Sequence, residues 1–120
     1  MDIGIAAENR PQEKRVIMRP DELKEIVSSH TVYVEQGAGK GVGIDDVEYE
    51  RVGAHIVDAQ KVYSSSLVIR LKEPKEDELA MMRPNSAIMS MMHLSSNPPL
   101  RSLLKKYKIV AIAMDEVKNS

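Results

Sequence analysis

Short apolar runs recur along the chain at fairly even intervals, and segments with helical spacing separate them. Ile3-Gly4-Ile5-Ala6-Ala7 predicts a first strand. Residues 8–19 are polar, carry Arg10, Lys14, Arg15 and Arg19, and predict a loop. Pro20 suits the first position of a helix. Leu23, Ile26, Val27 and His30 follow at i, i+3, i+4 and i+7, one apolar face of that helix. Thr31-Val32-Tyr33-Val34 is β-branched and aromatic, a second strand. After a glycine-rich turn from Gly37 to Gly43, Asp45 or Asp46 caps a short helix through Val52, which Gly53 ends. His55-Ile56-Val57 is a third strand, 58–65 a short helix, and Leu67-Val68-Ile69-Arg70-Leu71 a fourth strand. A helix over 76–82 precedes a fifth strand over 87–92. Asn97 and two prolines then open a helix with Leu100, Leu103, Leu104 and Tyr107 on one face. Ile109 to Met114 is a sixth strand, and 115–120 a polar tail.

Strands that alternate with helices imply parallel pairing and right-handed crossovers. The near-continuous apolar sixth strand suits a sheet covered on both faces. The predicted class is α/β: a doubly wound, mainly parallel sheet of about six strands with helices on both faces, Rossmann-like or flavodoxin-like. A length of 120 residues predicts one domain over 1–120.

Composition narrows the function. The chain is 42% hydrophobic and 29% charged, with net charge −1, which disfavours disorder. Four tyrosines are its only aromatics. A nucleic-acid partner is not expected, since a basic stripe and stacking aromatics are missing. No cysteine is present, which excludes disulfides and thiolate metal sites, and no metal site is predicted. Met1-Asp2-Ile3-Gly4 shows no secretory signal, and no apolar run nears the ~20 residues of a membrane span. The expected address is cytoplasmic.

In open parallel sheets, ligands bind outside the carboxyl ends of the strands. The polar residues at those ends are Glu8, Asn9, Arg10, Lys14 and Arg15, then Lys72 and Glu73, then His93, Ser95, Ser96 and Asn97, then Asp115 and Glu116. They include cations for a carboxylate and an imidazole for proton transfer. Taken singly, Arg15 and Lys72 read as surface charges. His93 interrupts an apolar run between Met92 and Leu94 and reads as half-buried, structural or functional. Convergence of all three on one edge favours function. His30 and His55 read as structural or surface residues.

Gly37-Ala38-Gly39-Lys40-Gly41-Val42-Gly43 fails the dinucleotide fingerprint, because Val42 or Ile44 stands where the last glycine belongs. Lys40 is not followed by Ser or Thr as a Walker loop requires. The run reads instead as a turn needing positive φ. Met81, Met82, Met89, Met91 and Met92 read as core, with a partner surface as the alternative. Arg101, Lys105, Lys106 and Lys108 read as the outer face of an amphipathic helix.

The series Ile3-Gly4-Ile5…Glu8…Glu13-Lys14-Arg15-Val16…Pro20 resembles the start of the alanine dehydrogenase and pyridine nucleotide transhydrogenase N-terminal domain. The resemblance continues, in order and with few gaps, through Val34-Glu35-Gln36-Gly37-Ala38-Gly39, Glu48-Tyr49, Gly53-Ala54-His55-Ile56-Val57, Leu71-Lys72-Glu73-Pro74, Met92-His93-Leu94 and Ala111-Ile112-Ala113-Met114-Asp115. It implies a substrate domain. On that resemblance, Arg15 and Lys72 hold the carboxylate and carbonyl of pyruvate, and His93 serves in substrate binding and acid–base work. The chemistry is coherent: a guanidinium suits bidentate carboxylate binding, an ammonium stabilises charge on a carbonyl oxygen, and an imidazole passes a proton.

His93 resembles the alanine dehydrogenase version, and Met114-Asp115 the transhydrogenase version. Lys72-Glu73-Pro74 and His93 also resemble saccharopine dehydrogenase and lysine-oxoglutarate reductase. Arg19 departs from the family's threonine before proline, and Ser29 from its helix-ending glycine. No GxGxxG occurs anywhere in the sequence. The expectation is therefore that this chain binds no cofactor alone and is not competent for hydride transfer alone. NAD(H) or NADP(H) is implied for the complete enzyme, held by a partner domain or chain. The expected ligand is a small 2-oxo acid or amino acid, and a homo-oligomer is expected. The alternative is a stand-alone, non-catalytic binding or interaction domain that keeps the fold.

Overall fold

A computed structural model describes residues 1–116 other than Asn9 and Pro11, so the 117–120 part of the predicted polar tail lies outside the described residues. Six strands form one sheet: β1 (Asp2–Ile5), β2 (Thr31–Glu35), β3 (His55–Val57), β4 (Leu67–Ile69), β5 (Ala87–Ser90) and β6 (Val110–Ala113). Four α-helices join them: α1 (Asp46–Arg51), α2 (Ala59–Tyr63), α3 (Glu76–Ala80) and α4 (Pro98–Lys106). The strand order is β3-β2-β1-β4-β5-β6, and every pairing is parallel. This is the Rossmann order, which reverses direction between β1 and β4 and leaves a crevice at their carboxyl ends.

Alternation along the strands splits the core into two layers. Val68 and Ile88 face Val62, Tyr63, Leu79, Leu100 and Leu104 of α2, α3 and α4. Ile3, Ile5, Val32 and Val34 face Leu23 and Tyr49 on the other side. Burying each large apolar side chain contributes about 1.5–3 kcal/mol. Gly4 lets α2 lie directly on the sheet, since a Cβ there would collide with the Val62 carbonyl oxygen.

Several expected elements change. The continuous helix after Pro20 is replaced by two 3-10 turns, Pro20–Leu23 and Ile26–Ser28. Arg19 holds the cap position without a side-chain cap bond, and so short a stripe is marginal as an α-helix. Leu23 is fully buried, so packing rather than helix propensity shapes this segment. The sixth strand is not covered on both faces. Ala111 and Ala113 pack on the core, while Val110 and Ile112 are exposed on the other face. The methionines divide as well: Met82 and Met92 are buried, and Met91 is exposed. The outward placement of Arg101, Lys105, Lys106 and Lys108 is as expected. Among the described residues, no helix is long and apolar enough to cross a membrane.

Candidate functional site

Carboxylates stitch the carboxyl edge of the sheet. Glu8, beyond β1, accepts the backbone N–H groups of Leu71 at 2.8 Å and Lys72 at 3.1 Å. β4 ends at Ile69 rather than Leu71: the Arg70 N–H still reaches the Met89 carbonyl, but the two donors after it go to a side chain. Asp115, beyond β6, does the same to β5. It accepts from the N–H of Met92 at 2.8 Å and of His93 at 3.0 Å, which contributes to ending β5 at Ser90. Glu35, the last residue of β2, accepts from the Ala7 N–H at 3.0 Å. Burial pushes the Glu35 carboxyl up, and that hydrogen bond only partly offsets it.

Beneath the edge lies Arg70, fully buried. Its Nη1 lies 2.7 Å from Glu78 Oε1 and donates to the Tyr63 hydroxyl at 2.6 Å. Its Nη2 lies 3.5 Å from Glu8 Oε1, and its Nε donates to the Lys72 carbonyl at 2.8 Å. Burial opposes the charge of Arg70, but Tyr63, Glu78 and Glu8 outweigh it and raise its pKa. Burial likewise opposes the Glu78 charge, yet the Lys75 N–H and Arg70 hold that carboxyl below its usual range. Lys72 is therefore gripped at both its N–H and its carbonyl. In the sequence, Arg70 stands as one letter of an apolar strand, with no local sign of its role. The available signal was the cost of burying an unpaired guanidinium, which demands acidic partners.

Arg15 and Lys72 meet through Glu13. Glu13 Oε1 accepts from Arg15 Nε at 2.8 Å and from the Arg15 N–H at 3.1 Å, and Oε2 accepts from Nη2 at 3.0 Å. Lys72 Nζ stands 3.9 Å from Oε2. The Arg15 hydrogen bond is the main reason that the Glu13 carboxyl is held down at about 2. Arg10 bridges the two loops by donating to the Glu73 carbonyl at 3.1 Å. Arg10, Gln12, Glu13 and Lys72 line an open cleft of about 440 Å³. A smaller cavity of about 200 Å³, between Ser66, Arg83 and Ser86, lies at the opposite end of the strands, away from these residues.

His93 is on the same edge but not half-buried. Its side chain is 62% exposed, because Met92 takes the core position and His93 turns outward in the left-handed region, at φ 50°. Histidine is among the residues enriched there. Its Nδ1 lies 3.1 Å from Asp115 Oδ2. Burial works against the Asp115 charge, but the N–H donors of Met92 and His93 outweigh it and lower the carboxyl. With Nδ1 beside Asp115, Nε2 is the ring nitrogen turned toward a ligand. Among the described residues, no hydrogen bond or ion pair joins His93 to Arg15 or Lys72. Asn9 lies outside the described residues. His30 and His55 are both exposed.

The crevice does not fit a dinucleotide. That ligand needs glycines and a helix N-terminus after β1. Here the Glu8 carboxylate stands there, and among the described residues no helix forms before Pro20. The glycine run is no phosphate cradle either. Gly37 and Gly43 have φ of 76° and 78°, the turn role expected, and the Gly37 N–H already donates to Asp46 Oδ1 at 2.9 Å. Gly41 packs on the backbone of Lys14, where a Cβ would collide with the carbonyl oxygen. The run thus supports the segment that carries Glu13 and Arg15.

The model of the family "Alanine dehydrogenase/PNT, N-terminal domain" matches residues 4–120. The chain belongs to this family. Alanine dehydrogenase of Bacillus subtilis is 34% identical to this family member over 119 residues, 98% of the chain and 32% of the relative. Alanine dehydrogenase 2 of Staphylococcus aureus is 37% identical with the same coverage. The chain thus spans about a third of the length of these curated relatives. The solved transhydrogenase from Sinorhizobium meliloti superposes with TM-score 0.95 at 26% identity, over 100% of this chain and 36% of that one. An L-alanine dehydrogenase structure superposes with TM-score 0.89 at 33% identity, over 94% and 32%. These similarities support the α/β Rossmann-like architecture and the resemblance read from the sequence.

Proposed function

We propose that this chain is the substrate-binding domain of an alanine dehydrogenase-like, NAD(P)-dependent oxidoreductase that interconverts an amino acid and its 2-oxo acid. The carrying observation is the convergence of Arg15 and Lys72, from the loops after β1 and β4, on a single carboxylate at the crevice. Arg15 binds the substrate carboxylate. Lys72, its backbone clamped by Glu8 and Arg70, polarises the carbonyl. His93, turned by Asp115, holds the proton at Nε2. The nicotinamide cofactor supplies hydride chemistry and is held by a partner domain or chain, in keeping with the poor fit of this crevice to a dinucleotide. The chain alone is not competent for hydride transfer. It acts in the cytoplasm.

Pyruvate titration of the 120-residue chain, followed by NMR at Arg15, Lys72 and His93, tests this. Perturbation of these three at millimolar pyruvate is expected. Silence at all of them removes the reading.

A second reading, a stand-alone binding or interaction domain, is supported by Val110 and Ile112 exposed on the edge strand. It predicts self-association without turnover when pyruvate, NADH and ammonium are supplied with a partner domain. The homo-oligomer is proposed on the same apolar surface, and sedimentation as a monomer counts against it.

A further inference from the structure

Two cations held close together, as Arg15 and Lys72 are on either side of the cleft wall, repel each other unless an anion lies between them. Glu13 is that anion. Its side chain is 9% exposed, whereas Arg15 and Lys72 are 63% and 42% exposed, so a fixed carboxylate sits between two accessible cations. It grips Arg15 along the Nε and Nη2 edge, which leaves Nη1 without a partner among the described residues. The other charges of the cleft cancel: Arg10 pairs with Glu73 at 3.4 Å. Glu8, next to the cleft, faces Arg70 below, which it shares with Glu78. Among the three side chains in direct contact, Arg15 and Lys72 less Glu13 leave one positive charge.

We infer that Glu13 sets the charge selectivity of the site. It reduces two cations to one net charge, so a 2-oxo monocarboxylate is matched and a dicarboxylate is rejected. A second carboxylate entering the cleft meets Glu13 instead of a free cation. Glu13 is a positioning and specificity-determining residue and takes no part in proton transfer. The inference rests on the substrate-binding reading above.

A ligand pair isolates the effect. 2-Oxopentanoate and 2-oxoglutarate share a five-carbon chain and differ at the terminal carboxylate. Dissociation constants for both are measured on the 120-residue chain by NMR shifts at Arg15 and Lys72. The wild-type chain should prefer 2-oxopentanoate. Glu13→Gln should move the affinity ratio toward 2-oxoglutarate by about tenfold or more. Glu13→Asp keeps the charge and should keep the wild-type ratio. A merely structural role for Glu13 would weaken both ligands alike and leave the ratio unmoved. Gln12→Glu adds a carboxylate to the same cleft without disturbing Arg15, and should move the ratio the opposite way. An unchanged ratio in Glu13→Gln, or in Gln12→Glu should Glu13→Gln not fold, overturns the inference and spares the substrate-binding reading. Failure of the wild-type chain to bind either ligand at Arg15 and Lys72 overturns both.

Discussion

The Glu8 carboxylate accepts the backbone N–H of Lys72 at 3.1 Å, joining residues 64 positions apart in the chain. The same carboxylate faces Arg70, which donates to the Lys72 carbonyl at 2.8 Å. A buried ion cluster therefore sets the backbone of a half-buried lysine. This arrangement costs desolvation and is strongest when complete.

Arg70→Met should leave Glu8 and Glu78 buried without their cation and destabilise the chain by about 3–5 kcal/mol. Urea unfolding measures the loss. Adding Glu8→Gln and Glu78→Gln to Arg70→Met should restore part of it, because the unpaired charges are then gone. A triple variant no more stable than Arg70→Met would show that packing, not charge, dominates the site.

The Glu13 carboxyl falls from an ordinary 4.5 to about 2 on folding, chiefly through its hydrogen bond with Arg15. Between those values the unfolded chain binds more protons than the folded one, so stability rises with pH. The contribution is complete above the unfolded value and is lost as pH falls toward the folded one. Denaturation of wild type and Glu13→Gln should therefore differ most at about pH 6 and converge toward about pH 2. A constant gap across that range would mean that Glu13 does not carry this titration.

Asp115 accepts two consecutive backbone donors, Met92 and His93, and the second has φ 50°. Asp115→Ala removes both acceptors and should raise amide hydrogen exchange at these two residues several-fold. Exchange at Ser90, within β5, should be little changed. In the same variant, the His93 ring should lose its fixed orientation and respond less to pyruvate. Asp115→Asn keeps an acceptor oxygen and should fall between the two.

Much of the fold was legible because strand and helix periodicity are local. The six strands and the caps at Asp45 and Asn97 follow from neighbours a few residues apart, and the parallel pairing from the alternation of strands with helices. The strand-end rule also puts Arg15, Lys72 and His93 on one edge, since each lies in the segment that follows a strand. Tertiary structure decided the rest. Strands β4 and β5 stop one residue before the N–H groups that distant carboxylates, Glu8 and Asp115, take. The segment after Pro20 folds into short turns, because burying Leu23 outweighs a weak helical stripe. His93 turns outward, and Glu13 comes to lie between Arg15 and Lys72. Local pattern specifies which backbone a residue adopts. The partner of a charge depends on which loops the sheet brings together, and that is settled only when the chain closes on itself.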